Sequence, residues 1–399
     1  MTEGVKTAGF LACAAALVTA AAMVQPEHYT PAVLNDEGQA FYPNFRDPQA
    51  AKSIEVIDYD ESTATARPLK VEFKNNRWVI TSNNDYPIDI GDRLVKTSAA
   101  LMDLHKDRVR SDQVQDHVKY GVIDPLDPKV TSLQGRGKRV TLRDGQKNIL
   151  ADFILGKPVE GKAGWRYIRV PDSKRTYAVK TDADPSAKFV DWVNAGLLRM
   201  PSASIRKLIL DSYSVNPTAG TVEQAEAVTL TQGLGFWVST AGSVKQEPVK
   251  ALAETLDKLK IVDARPKPPE LAHDLREGRI QIADATAMAL RPFGFLLTPN
   301  RIFATDGEMN VEMANGVAYQ IRFGDVAASA SDSGKAGGGD RYLFVTTNWD
   351  ANRASAYGET GNSGEKASRD LNARFADWFY VISNADFQKL RLTRQDLLR

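Results

Sequence analysis

Phe189-Val-Asp-Trp192, followed by Ala203-Ser-Ile-Arg-Lys-Leu-Ile-Leu210, has a counterpart near the end of the chain. There, Phe375-Ala-Asp-Trp378 is followed by Ala385-Asp-Phe-Gln-Lys-Leu-Arg-Leu392. Both stretches contain Phe-x-Asp-Trp and then Lys-Leu-x-Leu, in the same order and with a similar gap. Internal similarity of this kind is typical of a chain built from repeated folding units. We therefore predict two tandem units, each with a closing Phe-x-Asp-Trp helix.

Further pairs of similar segments occur in the same order in the two halves. The clearest is an apolar stripe with the spacing of a helix packed on a sheet. Its members are Leu94, Thr97, Leu101 and Leu104 in the first half and Val249, Leu252, Leu256 and Leu259 in the second. The other matching pairs are Val71 and Trp78 with Val228 and Trp237, Tyr120-Gly121 with Phe293-Gly294, Phe153-x-Leu155-Gly156 with Ile321-x-Phe323-Gly324, and Arg166-Tyr-Ile-Arg-Val170 with Arg341-Tyr-Leu-Phe-Val345.

The predicted fold class is α+β, with each unit a mainly antiparallel sheet covered by helices. Apolar residues alternate along several short segments that turn signals separate, and this pattern predicts hairpins. Residues 53–210 are assigned to the first unit and 211–399 to the second. Residues 26–52, which contain four prolines, are assigned to a tether.

The second unit is predicted to contain loop insertions. One is a helical insertion at about 269–290. Two others, 327–339 and 351–368, are rich in Ser, Gly, Ala and Asp. Such residues bury too little apolar surface to offset the entropy lost on ordering, so both segments are predicted to be mobile.

Overall composition excludes some classes of protein. Lys and Arg number 51 against 50 Asp and Glu, so no excess of positive charge favours nucleic acid. The chain is 43% hydrophobic and 25% charged, as in ordinary globular proteins. Because Cys13 is the single cysteine, neither an intramolecular disulfide nor a cysteine-based metal site can form.

The N-terminal segment, residues 1–25, contains an uncharged, apolar stretch at 8–24, preceded by Lys6. Phe10, Leu11, Leu17 and Val18 are the largest of its apolar residues before Met23. A stretch of roughly 17 residues is at the lower limit for spanning a bilayer. It predicts either a retained transmembrane anchor or a signal peptide.

The two alternatives for this segment place the rest of the chain on the same side of the membrane. Ala20-Ala-Ala22 resembles a signal-peptidase site, which favours cleavage. The positive charge of Lys6 predicts that the following chain crosses the inner membrane. The expected location is therefore a single-pass inner-membrane protein with its bulk in the periplasm or, after cleavage, a periplasmic protein.

The sequence contains none of the common catalytic or cofactor-binding motifs. A Walker loop, a nucleophile elbow and a dinucleotide fingerprint are all missing. The four histidines form no helical metal-binding pair. We therefore expect no enzyme activity, no cofactor, no metal and no nucleic-acid partner.

Two tryptophans, each next to an aspartate, are the candidate contact residues. Trp192 and Trp378 could line a cleft between the units or contact a partner, with Asp191 and Asp377 pointing outward. The more common alternative is that each tryptophan anchors its helix in a hydrophobic core.

The first half also resembles a known family, the bacterial domain-of-unknown-function family 4340. The resemblance depends on Arg-Trp-Val-Ile80, Leu-x-x-Leu104, Tyr-Gly121 before Pro125, Phe-x-Leu-Gly156, Tyr-Ile-Arg-Val170, Tyr-Ala-Val179 and Trp192. It implies a membrane-anchored protein encoded beside ABC-type permeases and gliding-motility-like components. It supplies no catalytic residues.

These observations lead to two hypotheses of function. The first is a non-catalytic extracytoplasmic accessory subunit of an ABC-type transport or gliding-related envelope complex, with a permease or an auxiliary membrane subunit as its partner. The alternative is a periplasmic ligand-binding module that uses the cleft between the two units.

Overall fold

The computed structural model describes most of the chain after residue 35. The described residues are 4, 14–15, 18–19, 36–193, 196–216, 221–223, 227–277, 284–298, 301–327 and 339–399. Within them, no helix has the length and apolar character needed to cross a membrane. Phe10, Leu11 and Leu17 of the predicted membrane segment lie outside the described residues.

The first sheet has nine antiparallel strands in the spatial order β4-β3-β2-β1-β6-β7-β8-β9-β5. Its strands are β1 (Ser53–Asp60), β2 (Thr65–Lys74), β3 (Arg77–Ile80), β4 (Tyr86–Ile88), β5 (Arg108–Ser111), β6 (Lys138–Arg143), β7 (Ile149–Pro158), β8 (Trp165–Arg169) and β9 (Thr176–Lys180). The alternation predicted from the sequence forms its buried face, which includes Ile54, Val56 and Val71.

The remaining strands form a second sheet and two small ribbons. They are β10 (Ile205–Asp211), β11 (Ser214–Asn216), β12 (Thr221–Glu223), β13 (Val228–Gln232), β14 (Trp237–Val238), β15 (Ile261–Pro266), β16 (Phe295–Thr298), β17 (Arg301–Ala304), β18 (Glu308–Met313), β19 (Val317–Val326), β20 (Arg341–Trp349) and β21 (Trp378–Ile382). The second sheet has the spatial order β14-β13-β10-β18-β19-β20-β21-β15, while β11 pairs with β12 and β16 with β17.

Helices cover both sheets. They are α1 (Arg93–Met102), α2 (His117–Tyr120), α3 (Gln246–Asp257), α4 (Pro269–Arg276), α5 (Asp284–Leu290), α6 (Ala351–Ala356), α7 (Ser363–Ala376), α8 (Asn384–Leu390) and α9 (Arg394–Leu397). The apolar stripes predicted for α1 and α3 are confirmed, since Leu94, Leu101, Val249 and Leu256 are all buried. The predicted α+β class and antiparallel sheets are thus present.

The two sheets have the same strand order once the strands are matched along the chain. In each half, the first strand is followed by two strands that extend the sheet on one side of it in antiparallel pairs. A helix comes next, then a strand at the far edge, and finally four antiparallel strands. In this matching β1, β2 and β3 correspond to β10, β13 and β14, and β6 to β9 correspond to β18 to β21. Strand β4 has no counterpart among the described residues of the second half.

The Phe-x-Asp-Trp stretches do not occupy matching places in this order. Phe189–Asp191 is a single 3₁₀ turn that follows β9. Phe375 instead lies in the last turn of α7, and Trp378 begins β21, the counterpart of β9. The two Lys-Leu-x-Leu segments differ as well, because Lys207 lies in β10 and Lys389 in α8. The prediction that both stretches form matching closing helices was wrong, because the same residue types suit a turn, a helix end or a strand.

One strand assigned to the first unit pairs in the second sheet. Strand β10 was expected to close the first unit, but it pairs with β13 and β18 in the second sheet. The second sheet therefore begins at Ile205 rather than after Leu210. The described part of the predicted tether, residues 36–52, packs on the first sheet through the buried rings of Phe41 and Phe45.

The predicted insertions of the second half have mixed outcomes. Helices α4 and α5 occupy much of the predicted helical insertion at 269–290. Segment 351–368 was predicted to be mobile but contains α6 and the start of α7, whose Ser368 is buried. Here the side chain of Asp350 caps α6, so a polar segment folds through capping and packing. Residues 328–338 lie outside the described residues.

Candidate functional site

The two sheets meet edge to edge. The turn Thr81–Asn83 before β4, an edge strand of the first sheet, lies against β15, an edge strand of the second. The Asn83 side-chain amide donates a hydrogen bond to the Asp263 carboxylate, with Nδ2 and Oδ1 2.7 Å apart. Packing one edge against the other covers strands that would otherwise expose unpaired backbone groups.

A cavity of about 290 Å³ opens at this contact, and we call it the junction cleft. Most of its lining residues are apolar or aromatic, but polar atoms form the larger part of its surface. The lining comes from both sheets and from the segment that connects them. The lining residues are Tyr86, Pro87, Ile88, Asp89, Val193, Leu197, Ile261, Ala373, Arg374, Asp377, Trp378 and Tyr380. A concave site that combines aromatic walls with convergent polar groups is typical of small-molecule binding.

Aromatic rings fix the wall between the sheets. The ring centroid of Tyr86 is 5.2 Å from that of Phe189 and 4.9 Å from that of Trp378, both in edge-on geometry. Burial raises the pKa of the Tyr86 hydroxyl above its ordinary value, and the positive charge of Arg374 opposes that rise. Tyr86 therefore remains a neutral hydrogen-bonding group at physiological pH.

Arg374 is the most unusual polar group of the junction cleft. It lies in the last turn of α7, where Tyr380 donates a hydrogen bond from its hydroxyl to the Arg374 carbonyl at 2.9 Å. Its Nη1 atom is buried and has no hydrogen-bond partner among the described residues. A buried guanidinium nitrogen without an acceptor is energetically costly.

Arg374 also lines a second cavity, of about 380 Å³, which we call the linker cavity. Its walls come from the connecting segment, the β18–β19 hairpin and α7, and they include Arg199, Tyr319, Asp370 and Leu371. The hydroxyl of Tyr319 donates a hydrogen bond to the Leu198 carbonyl at 2.8 Å. Arg374 therefore lines both cavities.

A buried lysine binds the C-terminal end of α7. Lys267 donates a hydrogen bond from Nζ to the Phe375 carbonyl at 2.7 Å, and Nζ lies 4.4 Å from the ring centroid of Phe344. Burial lowers the pKa of Lys267 to about 7, an effect that the charge of Asp377 opposes. This lysine satisfies a carbonyl that the helix end would leave unpaired and fixes the turn that contains Arg374.

The structure separates the four predicted contact residues into two pairs. Trp378 and Asp377 line the junction cleft, and the Asp377 carboxylate accepts a hydrogen bond from Arg276. Trp192 is 4% exposed and donates from its ring nitrogen to the Ser186 carbonyl at 2.8 Å. Asp191 accepts a hydrogen bond from the Ser186 hydroxyl at 2.5 Å. Trp192 and Asp191 do not line the cleft.

Sequence reasoning missed Arg374, Tyr86 and Tyr380. One signal for Arg374 was its place three residues after Leu371 and beside Phe375, on the flank of the buried face of α7. Tyr86 precedes a proline in a short edge strand and carries no comparable signal. The described residues contain no group of three or more His, Cys, Asp or Glu side chains that could hold a metal ion.

Fold and site together define an α+β protein with two antiparallel sheets of matching strand order and an aromatic cleft at their contact. Residues 78–278, half of the chain, match the family described as a domain of unknown function (DUF4340). The chain therefore belongs to the DUF4340 family, as its sequence resemblance implied. No curated protein and no solved structure matches it.

The matched region begins in β3 and ends just after α4. It therefore includes most of the first sheet and the first strands of the second. Arg374, Trp378 and Tyr380 follow the matched region, so the family match covers only part of the junction cleft.

Proposed function

We propose that this protein is a non-catalytic extracytoplasmic binding module and that its ligand occupies the junction cleft. The observation that supports this most strongly is the buried Nη1 atom of Arg374, which has no acceptor among the described residues. Arg374 itself lines a cavity with aromatic walls contributed by both sheets. Enclosure by apolar side chains provides affinity, and a few polar groups provide specificity.

Filling the cleft tests this proposal. Ala373 lines the cleft from α7, so Ala373→Trp places an indole ring in the space the ligand needs. Small carboxylates, sugars, peptides and detergents would be screened against the purified protein by saturation-transfer NMR. We expect a subset to bind the wild type and to compete with one another, and the Ala373→Trp variant to lose them.

Lys366→Trp provides the matched control for that experiment. Lys366 is an exposed residue of the same helix and does not line the cleft. Its variant should bind the same compounds as the wild type. A screen in which no compound distinguishes the Ala373→Trp variant from the wild type would contradict binding in the cleft.

We further propose that the two halves arose by tandem duplication. The matching strand order supports this, and so does one shared packing detail. A Cβ atom at Gly156 would lie 2.5 Å from the Tyr120 carbonyl oxygen, and one at Gly324 would overlap the Phe293 carbonyl oxygen. If the halves arose by duplication, an alignment of relatives of the first half should show sequence similarity to the second half. Absence of such similarity would argue for independent origins.

A second candidate function is that of an accessory subunit in an ABC-type transport or gliding-related complex of the inner membrane. The N-terminal apolar stretch and the family membership support it. The β13–β14 turn offers a surface for partner contact, because Leu234 is 97% exposed and Phe236 is 53% exposed. Exposed apolar side chains grouped at one turn are a feature of interaction sites.

Isolation from native membranes tests the accessory role. The tagged protein should recover an identified ABC-type permease or its auxiliary subunit, and a Leu234→Ser, Phe236→Ser double variant should recover less. Ile149→Ser changes a half-exposed apolar residue of the first sheet and is the control. A protein that fractionates alone and soluble in the periplasm would argue against this role. N-terminal sequencing of the mature chain would decide between an anchor and a cleaved signal.

A further inference from the structure

The carboxylates at the junction of the sheets are already paired with other cations. Asp263 binds Arg265, with Oδ2 and Nη1 2.6 Å apart, and also accepts the hydrogen bond from Asn83. Asp377 binds Arg276. The positive charge of Arg374 therefore has no counterpart in these two carboxylates.

Other carboxylates line the cavities without pairing with Arg374. Asp89 lines the junction cleft, and Asp370, one helical turn before Arg374, lines the linker cavity. In the part of the chain that the structure describes, neither forms an ion pair with the guanidinium, and Nη1 has no acceptor. An i,i+4 pair with Asp370 would have been the simplest way to neutralise this charge.

The three tyrosine hydroxyls near the guanidinium are neutral. Tyr86, Tyr319 and Tyr380 all lie close enough for its charge to act on their hydroxyls, and burial raises the pKa of each above its ordinary value. Tyrosines that stay protonated supply hydrogen-bonding groups without a negative charge. An arginine beside neutral aromatic groups, with no ion pair to the carboxylates of its cavities, is complementary to an anion attached to an apolar or aromatic body.

We propose that the ligand of the junction cleft carries a carboxylate or phosphate group that binds Arg374, with its apolar part against Tyr86 and Trp378. This assignment rests on the proposed binding role of the cleft and names the chemical class of its ligand. The anion pairs with the guanidinium, and the aromatic wall shields the pair from water. A charge-assisted bond in such a site is stronger than one in open solvent.

Isothermal titration with three small probes tests the class of ligand. Benzoate and phenyl phosphate each carry an anionic group on an aromatic ring, whereas benzyl alcohol is their neutral counterpart. We expect both anions to bind the wild-type protein at least about tenfold more tightly than benzyl alcohol, because a hydrogen bond to a charged group contributes a factor of that order. Whichever anion binds more tightly identifies the carboxylate or the phosphate as the preferred group.

Variants of α7 connect this preference to one side chain. Arg374→Gln removes the charge. It should weaken the binding of both anions about tenfold or more while leaving the affinity for benzyl alcohol unchanged. Arg369→Gln is the matched control, since Arg369 lies on the same helix but is 69% exposed and pairs with Glu365. It should bind all three probes as the wild type does. Should Arg374→Gln fail to fold, the comparison of charged and neutral probes on the wild type still shows whether the protein prefers an anionic ligand.

Three results would overturn the assignment. Equal affinity for benzoate and benzyl alcohol, or unchanged anion binding by a folded Arg374→Gln variant, would refute an anion site while leaving the cleft as a binding site. Absence of binding by any probe to the wild-type protein would refute it as well. The Ala373→Trp screen then decides separately whether the cleft binds ligands at all.

Discussion

Lys267 should give this protein a stability that rises with pH above neutrality. Its ammonium is buried against Phe344 and Phe379 and has one hydrogen bond, to the Phe375 carbonyl. Burial lowers its pKa from 10.5 to about 7. In that pH window the native lysine has lost its proton, while the lysine of the unfolded chain keeps it. Unfolding therefore takes up a proton, and the free energy of unfolding increases as the pH rises.

The expected size follows from the two pKa values. At about 1.36 kcal/mol per pKa unit, the change from 10.5 to about 7 amounts to about 5 kcal/mol over the whole window. Between pH 7 and pH 9, the contribution of Lys267 to the free energy of unfolding should increase by about 2 kcal/mol. Below pH 7 the native lysine is charged as well, and this dependence on pH ends.

Urea denaturation of the wild type and of a Lys267→Met variant at pH 7 and pH 9 measures this contribution. Methionine keeps much of the apolar stem but cannot titrate, so the difference between the two proteins isolates the lysine. Losing the hydrogen bond to Phe375 costs the variant the same amount at both pH values. Between pH 7 and pH 9, the free energy of unfolding of the wild type should therefore rise by about 2 kcal/mol relative to that of the variant.

Lys366→Met removes an exposed ammonium from α7 and is the control for this comparison. The difference in free energy of unfolding between Lys366→Met and the wild type should be the same at both pH values. A Lys267→Met difference that does not change with pH would refute the reasoning, because it would mean that Lys267 keeps its proton in the native protein throughout this range.

Three further predictions concern packing and can be checked by thermal or urea denaturation. Gly324→Ala should destabilise the protein by about 1–3 kcal/mol, because its Cβ would overlap the Phe293 carbonyl, whereas Gly145→Ala, which meets only ordinary contacts, should not. Asn83→Ala should cost about 1 kcal/mol by breaking the hydrogen bond between the sheets, and a neutral effect would show that this bond does not stabilise the junction. Leu256→Ala should cost about 2–5 kcal/mol, since the side chain is fully buried between α3 and the second sheet; a cost below 1 kcal/mol would place α3 outside the core.

Local, periodic features of the fold could be predicted from the sequence. The stripe of Leu94 and Leu101 identified α1, and the similar spacing of Val249 and Leu256 identified α3, because a helix on a sheet must bury one face. Asp144-Gly145 is one of the turn signals that predict hairpins, and it lies between the paired strands β6 and β7. Each of these features depends on residues within a few turns of one another.

The Phe-x-Asp-Trp stretches show the limit of that reasoning. Four residues of common types do not specify a conformation, and the surrounding chain made one stretch a turn and the other a helix end. The junction cleft was predicted only as a region between units. Its lining depends on which strand edges meet, and that is set by contacts between residues far apart in sequence, such as Tyr86 and Trp378.

A crystal structure of the full chain grown with phenyl phosphate would test the central claim most directly. An anion in the junction cleft is predicted, with a phosphate oxygen about 2.7–2.9 Å from a guanidinium nitrogen of Arg374 and the phenyl ring against Tyr86 and Trp378. A structure in which Nη1 pairs with a carboxylate of the chain itself, with the probe elsewhere or unbound, would contradict it.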